Sequence, residues 1–164
     1  MTAYILALVA ATLLIIKKNN KKMAQTSGTS YPNASGSNRG LRNNNPLNIR
    51  KNSDVFQGEI VPSGDSAFKQ FSSMLYGYRA AFKIINNYIA KGYNTINKIV
   101  SRWAPSSENN TSSYISNVEK RSGIGRNTVI TSKTQIIKIV QAMSVSEVGY
   151  MPSLSELDKA YSML

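Results

Sequence analysis

The stretch from residue 134 to residue 150, TQIIKIVQAMSVSEVGY, constrains the fold more than any other part of the chain. Ile136, Val140, Met143 and Glu147 follow one another at steps of four, three and four, which places them on one face of an α-helix. The spacing therefore predicts a helix packed on the core, and the last position of its apolar stripe is a carboxylate.

Glu147 is a candidate general acid because of this position. A carboxyl group directed toward a core, at the negative end of a helix, is harder to ionise than one in water. Acid catalysis near neutral pH needs that property. The same spacing also fits a solvated glutamate on a frayed last turn, so spacing alone leaves both interpretations open. Ser132 or Thr131 is the expected N-cap of the helix.

Cysteine and histidine are both absent from the 164 residues. This absence excludes a thiol nucleophile, a disulfide framework, a Cys/His zinc site and a serine–histidine–acid triad. Acid–base chemistry at neutral pH would therefore fall mainly on the eight carboxylates. We expect neither a cofactor nor a metal site.

The net charge of +12 predicts a polyanionic partner. Four of the 20 lysines and arginines lie in the first 22 residues, which hold no acid, so the remainder still has a net charge of +8. Nucleic acid, anionic lipid headgroups and a cell-wall polymer with carboxylates or phosphates all fit such a surface.

The N-terminal residues predict a membrane anchor followed by a tether. Residues 1–16 are uncharged, and lysines follow at once. At about 1.5 Å per residue they extend roughly 24 Å, enough for a thinned bilayer with snorkelling lysines. The lysines follow the apolar run, which favours a single-pass anchor over residues 1–18 with its C-terminal side at the positive-inside face; a cleaved signal peptide is the alternative. Residues 19–38 are a basic and Ser/Gly/Asn-rich linker.

Residues 39–164 form the predicted domain, which is mainly α with one short β-hairpin. The hairpin lies within residues 55–71, with Glu59 on its first strand and Asp65 in or just after its turn. Apolar residues at helical spacing, bounded by capping residues and glycine or proline, predict five helices. These cover approximately residues 75–90, 95–103, 112–121, 132–147 and 153–163.

Several motifs together resemble a domain frequent in phages and prophages. They are NNNPLNIR, FQGEIVPSGDSAF, YGYRAAFKIINNY, INKIVSRWAPSSENNTSSYI and AMSVSEVGY. The resemblance covers about residues 39–152, and SRWAP…ENNT…Y is its most specific part. This chain has Phe56 where the pattern commonly has tryptophan, and Leu47 where it commonly has glycine.

The order of motifs also resembles bacterial peptidoglycan glucosaminidases of lysozyme-like fold. In those enzymes a helix that ends in a catalytic glutamate precedes an Asn-Asn loop, a hairpin and further helices. Here NNNPLNI, FQG and the following helices keep that order, whereas the glutamate helix, IVQAMSVSEVGY, stands at the other end. A circular permutation of a lysozyme-like domain would produce this arrangement, since the termini of compact domains often lie close together.

The resemblance implies roles for eight residues. Glu147 corresponds to the general acid that protonates the glycosidic oxygen, and a second carboxylate, if used, would be Glu59 or Asp65. Tyr88 or Tyr114 would hold the sugar. The turn residues would either bond N-acetyl groups or shape the loop; they are Asn44, Asn45 and Asn48. Trp103 is expected in the core, and Glu108 is expected to cap a helix.

Two function classes follow, and a third is kept beside them. The first is a membrane-anchored virion enzyme that cleaves the glycan β-1,4 bond of peptidoglycan, as a lytic transglycosylase or as a muramidase or glucosaminidase. It would sit in the virion's internal membrane or the host cytoplasmic membrane, with other virion proteins as further candidate partners. The second is a non-catalytic phage structural protein whose basic domain is tethered to the virion membrane, capsid or nucleic acid. The third is a module that binds the host cell envelope.

Overall fold

The computed structural model describes residues 38–105 and 110–164. Six helices occur in these two ranges, and we number them in chain order. They are α1 (Arg39–Arg42), α2 (Met74–Ala90), α3 (Ile96–Trp103), α4 (Thr111–Ser122), α5 (Lys133–Val148) and α6 (Leu154–Tyr161). The mainly helical class predicted from the sequence is therefore confirmed.

The five longer helices begin and end close to the predicted positions, and capping side chains start four of them. Ser132 accepts a hydrogen bond from the backbone of Gln135, whose side chain returns to the Ser132 backbone, so a complete capping box starts α5. Thr95 caps α3 with a single bond, since its side chain accepts from the Lys98 amide. Gly149, with φ of 70°, ends α5 in the left-handed conformation that glycine adopts easily. The short helix α1 lies just before the asparagine turn and was not among the five predicted helices.

The core lies around α5, which packs against α4, α2 and α6. Ile139, Val140 and Met143 are fully buried on its inner face, as the apolar stripe predicts. Helix α2 supplies Tyr78, whose hydroxyl lies 2.9 Å from the hydroxyl of the buried Ser144. This bond satisfies two polar groups inside the core and fixes α2 against α5.

The predicted β-hairpin is wrong as a pair of strands. Within the described residues the segment between α1 and α2 contains no sheet, and only two isolated antiparallel bridges occur there. They join Arg50 to Phe68 and Glu59 to Phe71. Side chains of this segment bond to its own backbone instead, and those contacts hold it as a compact loop.

The predicted anchor (residues 1–18) and the linker up to residue 37 lie outside the described residues, as does Glu108. Asn38 is the first described residue and caps α1. None of the six helices above is long and apolar enough to cross a bilayer.

Candidate active site

Glu147 lies in the last turn of α5 and is half-buried. Burial raises the pKa of its carboxyl group above the ordinary value of 4.5, because the charged form loses hydration. Hydrogen bonds from Asn48, Tyr114 and Trp103 partly oppose this rise, since they favour the carboxylate. The net effect is a raised pKa for Glu147, which is the direction that acid catalysis near neutral pH requires.

Both carboxyl oxygens of Glu147 have a donor. The Asn48 Nδ2 atom lies 3.0 Å from Oε2, and the Tyr114 hydroxyl lies 2.9 Å from Oε1. Burial, reinforced by the neighbouring carboxylate, raises the pKa of Tyr114 well above its ordinary value, so this phenol keeps its proton. Two fixed donors define the orientation of the carboxyl group before any substrate arrives.

The asparagine turn that carries Asn48 is fixed by its own side chains. Asn45 is fully buried; its Nδ2 atom donates to the carbonyl oxygens of Ile49 and Lys69, and its Oδ1 atom accepts from the Ile49 amide. Asn44 donates to the carbonyl oxygen of Phe71. Asn44 and Asn45 therefore shape the loop, and of the three predicted asparagines only Asn48 lines the cleft and bonds Glu147.

Glu147 and Asn48 lie in a cleft of about 930 Å³. One wall is the loop that follows the asparagine turn, and the other is the exposed side of α2. Tyr88 and Trp103 contribute aromatic surface, with ring centroids 6.4 Å apart and an interplanar angle of 70°. Aromatic faces beside amide side chains can bind sugar rings, which present apolar faces and hydroxyl edges.

Trp103 departs from the expected core position. It is half-buried and lines the cleft together with Glu147, whose pKa it helps to lower. Tyr88 lines the cleft as predicted, and the Arg102 guanidinium lies 5.1 Å from its ring centroid. Burial raises the pKa of Tyr88, and Arg102 works against that rise.

The structure does not bring Glu59 into the cleft with Glu147. The Glu59 carboxylate forms a 2.9 Å ion pair with Lys69, and their side chains are 6% and 1% exposed. Lys69 also donates to the carbonyl oxygen of Asp54 at 2.7 Å, and Glu59 accepts from the Phe56 amide. This buried pair fixes residues 54–59, part of which forms a cleft wall.

Asp65 likewise lies outside the cleft. It forms a bidentate pair with Arg39, accepts from the Asn43 side chain and caps the backbone amides of Ala67 and Phe68. The Arg39 guanidinium, followed by these other donors, holds the pKa of Asp65 far below its usual range. A carboxylate so strongly bound is a turn-stabilising group.

Two features of the cleft were missed at the sequence level. The first is Asp54, which besides Glu147 is the only carboxylate among the described residues that line the cleft. The other feature is a set of basic residues along the α2 wall: Arg79, Lys83 and Lys91. Their spacing in multiples of four could have indicated from the sequence that they share one side of the helix. No group of three or more Asp and Glu side chains able to hold a metal ion occurs in the described ranges.

No family model matches the chain. It is 38% identical over 128 residues to Protein P5 of Pseudoalteromonas phage PM2. The match covers 75% of this chain and 79% of that phage protein.

Proposed function

Since this chain belongs to the family of Protein P5 of Pseudoalteromonas phage PM2, and since its cleft holds the half-buried carboxyl group of Glu147, we propose that it is a virion-associated enzyme that degrades peptidoglycan. The observation that carries the proposal is Glu147. Its carboxyl group has a raised pKa, two fixed donors and access to a cleft large enough for several sugar rings.

A permuted lysozyme-like domain is part of this proposal. The side chain of Asn38, at the start of the described domain, donates to the carbonyl oxygen of Val148 at 3.0 Å. The residue after Glu147 thus touches the residue that opens the asparagine-turn segment. This closeness supports the permutation, because joining these two points would place a glutamate helix directly before the turn, as in the peptidoglycan glucosaminidases.

In the proposed reaction, Glu147 in its acid form donates a proton to the glycosidic oxygen as the bond to the anomeric carbon breaks. The resulting Glu147 carboxylate then takes the proton from the 6-hydroxyl of the same sugar, whose oxygen attacks the anomeric carbon. One residue serves as acid and then as base, as in a lytic transglycosylase. Glu59 pairs with Lys69, and Asp65 pairs with Arg39. These contacts favour transglycosylation over a hydrolysis in which Glu59 or Asp65 is the second catalytic carboxylate.

The test is the clearing of purified peptidoglycan by the full-length chain and by Glu147→Gln. A glutamine oxygen can accept from Asn48, and its amide can donate to the Tyr114 hydroxyl, so the fold should survive this change. Asp158→Asn is the matched control, because Asp158 is an exposed carboxylate outside the cleft. We expect clearing by the wild type and the control but not by Glu147→Gln. Equal clearing by all three, or by none, would refute the proposal.

Product masses separate the two chemistries. A transglycosylase product is lighter than the hydrolysis product by one water, because the 6-hydroxyl replaces water as the nucleophile. If the products carry the added water, the second carboxylate to test is Asp54, through Asp54→Asn, since it lies along the cleft with Glu147.

The membrane anchor belongs to the same proposal. Residues 1–18 would hold the chain in the virion's internal membrane or in the host cytoplasmic membrane, with residues 19–38 as a tether that lets the domain reach adjacent peptidoglycan. Co-flotation of the full chain with liposomes, and loss of flotation after deletion of residues 1–18, would support the anchor. Equal behaviour of both forms would refute it.

The net charge of +12 favours a second candidate, a structural phage protein whose basic domain binds nucleic acid. Such binding would weaken steeply between low and moderate salt, because each phosphate contact releases counterions. Salt-sensitive DNA retention without peptidoglycan cleavage would support this candidate over the enzyme.

A further inference from the structure

The wall of the cleft formed by α2 carries a row of polar and basic side chains. Arg79, Lys83, Asn87 and Lys91 all line the cleft and follow one another at steps of four. Residues four apart lie on the same side of a helix, and at about 1.5 Å per residue the row extends roughly 18 Å. A ligand that lies along the cleft would pass every member of this row.

Two members of the row have free charges. Arg79 is held by the chain itself, since its Nε atom donates to the carbonyl oxygen of Met163 at 2.9 Å. Lys83 and Lys91 are exposed, and no described residue forms a hydrogen bond or an ion pair with either ammonium group. Neither lysine supports the fold, so both are available for a ligand.

The distribution of charge in the cleft favours a ligand with a neutral backbone and anionic side groups. Basic side chains line both walls, since Arg50 and Lys51 lie in the loop opposite the row on α2. Two carboxyl groups lie among these cations: Glu147 in the last turn of α5 and Asp54 in the same loop as Arg50 and Lys51. A polyphosphate backbone lying in the cleft would pass both carboxylates, which disfavours nucleic acid. A neutral glycan could pass Glu147 while carboxylates on its substituents reach Lys83 and Lys91.

We propose that Lys83 and Lys91 bind carboxylates on the substituents of the glycan in the cleft, so that the protein selects anionic peptidoglycan over the same polymer with its charges removed. This inference rests on the proposed function and names the part of the substrate that the site recognises. The two lysines contact substituents and not the bond that is cleaved.

The test measures sedimentation of the full-length chain with peptidoglycan sacculi, in the Glu147→Gln background so that cleavage does not intervene. Lys83→Gln/Lys91→Gln is compared with Lys120→Gln/Lys138→Gln, which removes the same charge from exposed positions outside the cleft. A second batch of sacculi has its carboxylates converted to amides. We expect the cleft variant to bind native sacculi about tenfold more weakly than the control, since each exposed ion pair contributes modestly. On amidated sacculi the two variants should bind equally.

Equal binding of both variants to native sacculi would overturn the inference, and so would a deficit of the cleft variant that persists on amidated sacculi. A deficit seen with DNA but not with sacculi would overturn it in favour of nucleic acid as the occupant. Because binding is measured without cleavage, failure of the enzymatic proposal appears separately, as absence of clearing by the chain with native Glu147.

Discussion

Replacing Glu59 by glutamine should strongly destabilise the domain while leaving the proposed cleavage chemistry in place. The ion pair with Lys69 is buried, with side chains 6% and 1% exposed. Glutamine would leave the Lys69 ammonium buried without a counter-charge, with neutral oxygens, the Asp54 carbonyl and the glutamine amide, as its hydrogen-bond acceptors. Removing one member of a buried pair costs about 3–5 kcal/mol, chiefly because the other charge stays desolvated. For a domain of this size, that loss lowers Tm by roughly 10–20 °C.

A double-mutant cycle isolates the pair from other effects of the substitution. Lys69→Met alone should also destabilise, because it leaves the Glu59 carboxylate buried and without its cation. The Glu59→Gln/Lys69→Met variant removes both charges and should lose less stability than the sum of the single changes, by about 2 kcal/mol or more. The assay is thermal and urea unfolding followed by far-UV circular dichroism. Single losses below about 1 kcal/mol, or strict additivity in the double variant, would contradict the argument.

The same variant decides between a structural and a catalytic Glu59. Measured well below its Tm, Glu59→Gln should still clear peptidoglycan, since Glu59 does not line the cleft. A Glu59→Gln variant that is folded but inactive would instead identify Glu59 as the second catalytic carboxylate. It would refute the conclusion that Glu59 only stabilises the loop.

Three further predictions concern the site and the packing that supports it. Tyr114→Phe removes a donor to the carboxylate, so the pKa of Glu147 should rise further; cleavage should slow, and its alkaline limit should move to higher pH, as a pH–rate profile would record. For Glu147→Gln, the gain in unfolding free energy over the wild type should be small at about pH 4 and grow toward about pH 7. The reason is that the pKa of Glu147 is higher in the folded than in the unfolded protein, so the wild type loses stability as the pH rises above 4.5. Urea titrations that give the same difference in unfolding free energy at every pH would contradict this prediction. Gly77→Ala should destabilise by about 1–3 kcal/mol or more in thermal unfolding, because the added Cβ would collide with the Asn44 carbonyl oxygen.

The helices could be predicted because their determinants are local. The apolar stripe of α5 consists of residues three or four positions apart. The capping residues Ser132, Thr95 and Gly149 bond backbone groups no more than four residues away. The hairpin prediction failed for the opposite reason. β-prone residues near Val55 and Ile60 suggested strands, but Val55 is 74% exposed, and the loop is held by side chains such as Lys69. Propensity gives no account of a buried lysine that bonds one backbone carbonyl and one carboxylate across the loop.

The site could be predicted only in part. The position of Glu147 at the end of an apolar stripe indicated a poorly hydrated carboxyl group, and burial does raise its pKa. Its partners are 99 and 33 residues away along the chain, so neither Asn48 nor Tyr114 could be assigned to it from spacing. Glu59 was indistinguishable from a catalytic carboxylate for the same reason, since Lys69 pairs with it only in the folded loop.

The asparagine turn links the folding of the chain to the geometry of the site. Asn44 and Asn48 both have positive φ, 49° and 50°, a conformation that asparagine tolerates better than most residues. Asn45 locks the turn through three buried hydrogen bonds, which leaves the Asn48 side chain no role in holding the loop and frees it to bond Glu147. The bond from Asn38 to the carbonyl oxygen of Val148 also holds the start of this segment against the end of the helix that carries Glu147. The contact between Asn48 and Glu147 depends on this joint, because the two residues are 99 positions apart and no covalent neighbour can set their geometry.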